Sequence, residues 1–193
     1  MTSVSLQVIK SEHQALAAML QSLSMLVSLA RRNNDLPDFG VIRSMIFYLD
    51  EFPERLHHPK ESDLLFPLVH MRVPELAALL DRLDRDHAQG EIAIRDLEHA
   101  LLSFEVLGEP RRTAFEQALE RFTASYLDHM RLEESVVLPA AERVLTTQDW
   151  VMLDSAFASN RDPLTGQEPE QIYRPLFQRI LMNAPAPVGL GDR

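Results

Sequence analysis

The sequence predicts an all-α protein, an antiparallel up-and-down four-helix bundle followed by a short helical extension. Apolar residues recur at helical spacing over four long segments, and the breaks between these segments are short. Only 6 of the 193 residues are glycine and 46% are hydrophobic, so the chain can fill a sizeable core. We expect residues 1–146 to form the bundle and residues 147–193 to form an extension packed on it.

The first predicted helix starts near Leu6 and ends at the turn residues Asn33 and Asn34. His13 lies in the middle of its apolar face. One such histidine is usually an ordinary core residue with a satisfied hydrogen bond, and it gains meaning only if other helices repeat the pattern. The second helix starts near Asp38 and continues into a segment rich in histidine and proline.

The third helix opens at Pro74, a residue favoured in the first turn, and the fourth extends to about Leu145. Three further prolines fall inside the second and fourth helices: Pro53, Pro59 and Pro139. Each removes an internal hydrogen bond, so we expect each to bend its helix.

The extension is predicted to contain two short helices. Thr146 and Asp149 have the spacing of a helix start, and an apolar face follows them. A polar loop covers residues 160–170, and a second amphipathic segment runs from Ile172 to Leu181. The alanine- and proline-rich tail that begins at Ala184 is expected to be loose.

One motif occurs twice, at residues 57–67 and 129–139. Each copy reads His-x-x-x-Glu, two residues, three apolar residues and proline. An acidic residue followed by a histidine precedes the two copies by 44 and 42 residues. Each half of the chain therefore supplies two histidines and one glutamate: His13, His57 and Glu61 in the first half, and His87, His129 and Glu133 in the second.

This inventory predicts a metal centre between the helices. His-x-x-x-Glu places both side chains on one helix face, one turn apart. Burying four imidazoles and two carboxylates without a partner is costly, and a cation removes that cost. The donors suit iron, manganese or zinc. Two three-ligand sets predict two ions, with Glu61 and Glu133 as bridges, while a single ion held by a subset is the alternative.

Two further residues are candidate ligands. Glu91 follows His87 by one turn and forms a third His-x-x-x-Glu on the same helix face. At 100° per residue Glu61 projects between His57 and His58, so both histidines can flank it. His57 is favoured because it alone has the spacing of the repeat. If His58 is not a ligand, it lies just outside the ligand set or is exposed to solvent. If Glu91 is not a ligand, it is a carboxylate just outside the ligand set or one in contact with solvent.

Tyr126 lies one turn before His129, where its hydroxyl could donate a hydrogen bond to a bound ligand; packing alone is the alternative. His99 follows His87 by 12 residues, roughly 18 Å along a helix, so it cannot share the site. His70 is also too far away.

Composition argues against several other classes of protein. The net charge of −10 argues against nucleic acid as a partner, because such binding depends on neutralising phosphates. No run of 18 apolar residues predicts a membrane span, and the N-terminus lacks the pattern of a secretory signal. The chain has no cysteine, hence no disulfide framework and no thiolate site. Together these features favour the cytoplasm.

The ligand order resembles that of the hemerythrin-like, or HHE cation-binding, family, in its bacterial type. The similarity covers about residues 5–145 and includes two phrases, His57-His58-Pro59-Lys60-Glu61 and Leu65-Phe66-Pro67. It implies an antiparallel four-helix bundle with a non-haem di-iron centre, bridged by two carboxylates and an oxo or hydroxo group. The implied terminal ligands are His13, His57, His87 and His129, and the implied bridges are Glu61 and Glu133.

The chain departs from the oxygen carriers of that family. They have a fifth histidine one turn after the third-helix histidine, where Glu91 stands here. Their last motif ends in aspartate after a longer gap, whereas Glu133 follows at the fourth residue. The pattern is closer to the iron-sensing and stress-related members, and it argues against reversible oxygen carriage, since Glu91 as a ligand would fill the open position.

We therefore expect a metal-binding protein with two iron ions that senses or handles iron, oxygen or nitric oxide, with a small diatomic molecule or a peroxide as ligand. A sensor of this kind would need a protein partner for signalling. The first alternative is an enzyme that decomposes peroxide or reduces nitric oxide. The second is a structural bundle that holds zinc or no metal; manganese is a further choice of ion.

Overall fold

The computed structural model describes residues 3–191, and between these residues it contains helices and connecting loops but no strand. The predicted all-α helical bundle is confirmed. Four long helical segments form it: α1 (Val4–Arg32); a second bundle helix of α2 (Phe39–Leu49), α3 (His58–Lys60) and α4 (Phe66–Arg72); α5 (Ala77–Leu107); and a fourth bundle helix of α6 (Arg112–Leu132) and α7 (Leu138–Val144). Helix α5 packs on α2 and α6, and α1 packs on the same two helices. The four bundle helices therefore surround a common core.

The prolines do not end the second and fourth bundle helices, because π-helical turns carry the backbone past them. These turns span Asp50–His57, Glu61–Leu65 and Glu133–Val137. The N–H of Phe66 donates to the carbonyl of Glu61, and that of Leu138 donates to Glu133, one residue further back than in an α-helix. Pro67 and Pro139 follow directly and supply no N–H, which favours this wider turn. Both motif glutamates therefore stand at the start of matched π-turns.

The apolar core is divided into two clusters with the histidines between them. On α1, Ile9 belongs to one cluster and Leu16 to the other, and His13 lies between the two. On α5, Leu83 and Ile94 flank His87 in the same way. The buried polar layer is thus enclosed by hydrocarbon above and below, along the length of the bundle.

The extension contains α8 (Thr147–Phe157), α9 (Arg174–Asn183) and two 3₁₀ turns, Pro163–Thr165 and Gln171–Tyr173. Helix α8 packs on α1, and α9 packs on α2. Thr146 and Asp149 form the anticipated reciprocal cap: the Thr146 N–H donates to Asp149 Oδ2 at 2.7 Å, and the Asp149 N–H donates to Thr146 Oγ1 at 3.2 Å.

The tail differs from the loose segment expected from its composition, as far as residue 191. The Val188 N–H donates to Ser22 Oγ at 3.2 Å, which ties the tail to α1. The Leu190 N–H donates to the Leu181 carbonyl at 2.7 Å, so the chain folds back over the end of α9. Ala184 is fully buried at this turn.

Helix α1 is long and apolar enough to qualify as a membrane span by length and composition, with a mean hydropathy of 1.2 over its most apolar window. Half of that window, 50%, is buried inside the bundle. A core helix passes the same test, and the apolar face of α1 is used for packing and for holding His13.

Candidate metal centre

The six ligands expected from the repeat are all buried, and the structure brings them together at the centre of the bundle. Together with His58 they form two groups that share Glu61, and within each group the donor atoms lie within 4.8 Å of one another. The first, here the two-histidine cluster, contains His13, His57, Glu61 and Glu133. The second, the three-histidine cluster, contains His58, Glu61, His87 and His129.

Imidazole Nε2 atoms face the two carboxylates. His57 Nε2 lies 2.7 Å from Glu61 Oε1, and His87 Nε2 lies 3.5 Å from Glu61 Oε2. On the other side, Glu133 Oε2 lies 3.4 Å from His13 Nε2 and 3.8 Å from His129 Nε2. All four contacts join helices or turns at the level of the π-helical segments, so the carboxylates occupy the middle of the layer.

The outward Nδ1 atoms of the same four histidines meet polar partners. His57 Nδ1 lies 2.6 Å from Glu12 Oε2, and His129 Nδ1 lies 3.8 Å from Asp86 Oδ2. Glu12 therefore forms a hydrogen bond with the motif histidine of the neighbouring helix, whereas Asp86 only lies near its own, and His129 Nδ1 has no hydrogen-bond partner among the described residues. A partner on Nδ1 fixes the tautomer and leaves Nε2 as the metal-facing donor.

The residue after each motif glutamate lies beside the Nδ1 atom of one of the two isolated histidines. Ser62 Oγ lies 2.9 Å from His87 Nδ1, and Glu134 Oε1 lies 3.0 Å from His13 Nδ1. The sequence contained a signal for these partners, because they occupy matched positions in the two copies of the repeat. Sequence reasoning noted the acid-histidine pairs but did not identify the histidine each acid serves.

The carboxylates themselves indicate a cation. Glu61 and Glu133 are fully buried, and neither oxygen of either residue forms a hydrogen bond. Burial and the negative charge of Glu61 raise the pKa of Glu133 well above its ordinary value. Burial would raise the pKa of Glu61 as well, but the neighbouring His57 holds it well below its usual range. One or two bound cations would satisfy all four oxygens, so the residues present fit the metal that the motif implies.

Three of the imidazoles are held in the neutral, metal-binding form. Burial, together with other imidazoles nearby, lowers the pKa of His87 to about 3 and that of His58 well below its usual range. Burial also lowers the pKa of His129. His57 differs: burial lowers its pKa, but the charges of Glu61 and Glu12 outweigh this and raise it. A cation between His57 and Glu61 would reverse that effect.

His58 joins the three-histidine cluster, although sequence reasoning gave it second place to His57. Its ring stacks on His87 with centroids 4.1 Å apart. Its Nδ1 lies 3.2 Å from Glu54 Oε2, a buried carboxylate that sequence reasoning did not select. Gly90 makes room for this carboxylate, since a Cβ on Gly90 would lie 2.6 Å from Glu54 Oε1.

Glu91 lies outside both clusters, contrary to its candidacy as a ligand. Its side chain is 62% exposed and reaches within 4.0 Å of Arg95 on the solvent side of α5. The carboxylate that occupies the space beside Gly90 is instead that of Glu54. Burial and the charge of Glu91 already raise the pKa of Glu54 to about 8.

Tyr126 lies beside the three-histidine cluster, with its ring 5.7 Å from that of His58. Its hydroxyl is buried and has no hydrogen-bond partner among the described residues. It lines a pocket of about 230 Å³ between α5 and α6 that reaches His58, His87 and His129. The two-histidine cluster faces a much smaller cavity of about 10 Å³.

His70 and His99 are exposed and belong to neither cluster.

The fold and the site define a helical-bundle protein with paired histidine and glutamate motifs for binding cations. The chain belongs to the hemerythrin HHE cation-binding domain family, which matches residues 4–141. This confirms the family to which the motifs pointed, while its bacterial type stays a prediction. Comparison with curated proteins and with solved structures gave no match.

Proposed function

We propose that this protein holds a pair of iron ions and uses them to sense or handle iron, oxygen, nitric oxide or peroxide. The observation that carries the proposal is Glu61, which lies in both clusters and faces a histidine Nε2 with each oxygen. A shared carboxylate between two ligand sets is the arrangement of a dinuclear centre rather than of two separate sites.

One ion would be held by His13, His57, Glu61 and Glu133, and the other by His58, His87, His129 and Glu61. Iron is favoured over structural zinc because imidazole and carboxylate are the donors of non-haem iron sites, whereas structural zinc sites usually include cysteine, which this chain lacks. A bound iron pair supplies one-electron redox chemistry and a position for a small ligand. Apolar clusters enclose the layer above and below, and polar partners on Nδ1 orient four of the imidazoles, those of His13, His57, His58 and His87.

A binding role is favoured over catalysis for the two-histidine cluster, because its cavity of about 10 Å³ admits little more than one water-sized molecule. The second candidate function is an enzyme that acts on peroxide. It is favoured by the larger pocket on the three-histidine cluster and by the unpartnered Tyr126 hydroxyl in its wall. A sensing role in the cytoplasm, with a partner protein that receives the signal, is part of the proposal.

Elemental mass spectrometry on untagged protein from iron-replete cells tests the metal assignment. We expect about two irons per chain. His99→Ala is a matched control, because His99 is exposed and outside both clusters. Zinc, or no metal even after anaerobic reconstitution with ferrous iron, would contradict the di-iron proposal. Stoichiometric bleaching by peroxide supports a binding role, whereas rapid turnover supports the enzyme.

A further inference from the structure

The extension beyond the family match closes over the two-histidine cluster. The match ends at residue 141, yet Asn160, Arg161 and Asp162 line the small cavity together with His13 and His57. Phe157, at the end of α8, forms a T-shaped pair with the His57 ring, with centroids 6.1 Å apart. Part of the boundary of this cluster is therefore supplied by residues outside the family match.

Asn160 connects the extension to a histidine through a carboxylate. Its Nδ2 donates to Glu12 Oε2 at 3.0 Å, and the same oxygen accepts from His57 Nδ1 at 2.6 Å. The Asn160 Oδ1 atom accepts from Lys60 Nζ. Because Asn160 is only 7% exposed, water competes little for these bonds. The amide is thereby oriented at both ends, and it fixes the oxygen on which the tautomer of His57 depends.

The neighbouring turn holds Asn160 in place. Asp162 Oδ2 accepts from the Tyr48 hydroxyl at 2.6 Å, and Asp162 Oδ1 accepts from the Leu164 N–H at 2.9 Å. Both Tyr48 and Asp162 are buried. With Phe157 packed in the core on one side and Asp162 bonded to the bundle on the other, the segment between them has little freedom to move Asn160.

The other half of the molecule provides an internal comparison. Asp86 takes the place of Glu12 there, but its Oδ2 lies 3.8 Å from His129 Nδ1 and 3.7 Å from Arg82 Nε. Its side chain is 22% exposed and borders the open pocket between α5 and α6. The two outer carboxylates are thus held differently, one by a buried amide and one beside a solvated arginine.

We propose that Asn160 is a positioning residue for the two-histidine cluster, acting through Glu12 on His57. The inference rests on the proposed function, in that this cluster holds one ion of a pair. Asn160 contacts no ligand atom itself. Its loss frees the Glu12 carboxylate to rotate, which weakens the orientation of His57 but leaves His58, His87 and His129 unchanged.

The experiment compares Asn160→Ala with Asn183→Ala in iron-loaded, reduced protein. Asn183 is a matched control because its amide donates to the Arg179 carbonyl at an exposed position in the same extension. Iron release to a ferrous chelator is followed with time. We expect one of the two irons to leave about tenfold faster in Asn160→Ala, since loss of an outer partner costs roughly 10–100-fold in affinity. The second iron and the control should match the unmodified chain.

A second variant and a folding measurement separate positioning from general damage. Asn160→Asp keeps the size of the side chain and the acceptor for Lys60 but removes the donor to Glu12. It should therefore increase the release rate of the same iron. Thermal unfolding of the metal-free variants identifies any that fail to fold. If both irons are released faster to the same extent, or if neither variant changes the rate of iron release, Asn160 has no positioning role. Fewer than two irons in the unmodified protein refutes the di-iron proposal instead.

Discussion

His57 and His58 are adjacent in the chain, yet their imidazoles enter different clusters. Their ring centroids lie 5.7 Å apart at an interplanar angle of 70°, on either side of Glu61. The helix is π-helical before His57 and again from Glu61, so its turn is wider than usual here. This pair makes the two halves of the repeat unequal, because the second copy has Met130 where the first has His58.

His58 should therefore be required for one ion only. We expect His58→Ala to retain about one iron per chain, because the three-histidine cluster loses a donor while the two-histidine cluster keeps all of its own. Iron content and Mössbauer spectroscopy of the purified variant measure this. His70→Ala is the control, since His70 is exposed and lies outside both clusters. Two tightly held irons in His58→Ala would place His58 outside the ligand set.

Glu61 should be required for both ions. Because each of its oxygens faces a different cluster, we expect Glu61→Ala to retain no iron after passage over a chelating resin. Glu91→Ala replaces an exposed carboxylate outside the clusters and should keep two irons. Normal iron content in Glu61→Ala would rule out its role as a bridge. Loss of iron in Glu91→Ala would contradict the outward orientation of that side chain.

Glu54 should make the stability of the metal-free protein depend on pH. Its pKa is raised by burial to about 8, so the folded protein binds a proton that the unfolded chain has already released. Stability from this group is present below the unfolded pKa of about 4.5 and is lost as the pH rises towards 8. The contribution of Glu54 to the free energy of unfolding should fall by at most about 1.4 kcal/mol per pH unit in that window.

Urea denaturation of metal-free protein between pH 6.5 and 8 measures this slope against Glu54→Gln. The glutamine cannot ionise, so the decline should be shallower in the variant. The comparison is best made above pH 6.5, the ordinary histidine pKa, because His58 and His87 are neutral in the folded protein there and add little to the slope. Identical slopes in the two proteins would show that Glu54 keeps an ordinary pKa.

The ligands suggested by the repeat could be found from sequence because they depend on local geometry. His57 and Glu61 share a helix face at a spacing of four residues, and His13 interrupts an apolar stripe. Other parts of the site depend on contacts between helices. Glu54 lies one helical turn before His58, but the room for its carboxylate depends on Gly90 of α5, and Asn160 meets Glu12 across 148 positions of the chain. Neither the close approach of α5 nor the contact of Asn160 leaves a periodic signal.

The π-turns were missed for a different reason. Proline in a helix predicts a lost hydrogen bond, and a bend is the simplest response. Here the backbone bonds to the carbonyl five residues back at Phe66 and Leu138, and each helix continues. The apolar spacing of the segment does not distinguish an α-helical from a π-helical turn of the backbone, so the wider turns could not be read from it.

Tyr126 should affect reactivity without affecting metal content. Its buried hydroxyl lacks a partner, so Tyr126→Phe should leave the metal-free protein equally stable or more stable by about 1 kcal/mol. Iron content should remain at two per chain, because Tyr126 belongs to neither cluster.

If the hydroxyl donates to a ligand that enters the pocket of about 230 Å³, the rate at which peroxide oxidises the ferrous protein should fall. Stopped-flow absorbance measures that rate, with Tyr173→Phe as the control, because Tyr173 donates to Glu51 in the extension interface at 2.7 Å. An unchanged rate in Tyr126→Phe would assign this tyrosine to packing alone, and a loss of iron would mean that it supports the ligands directly.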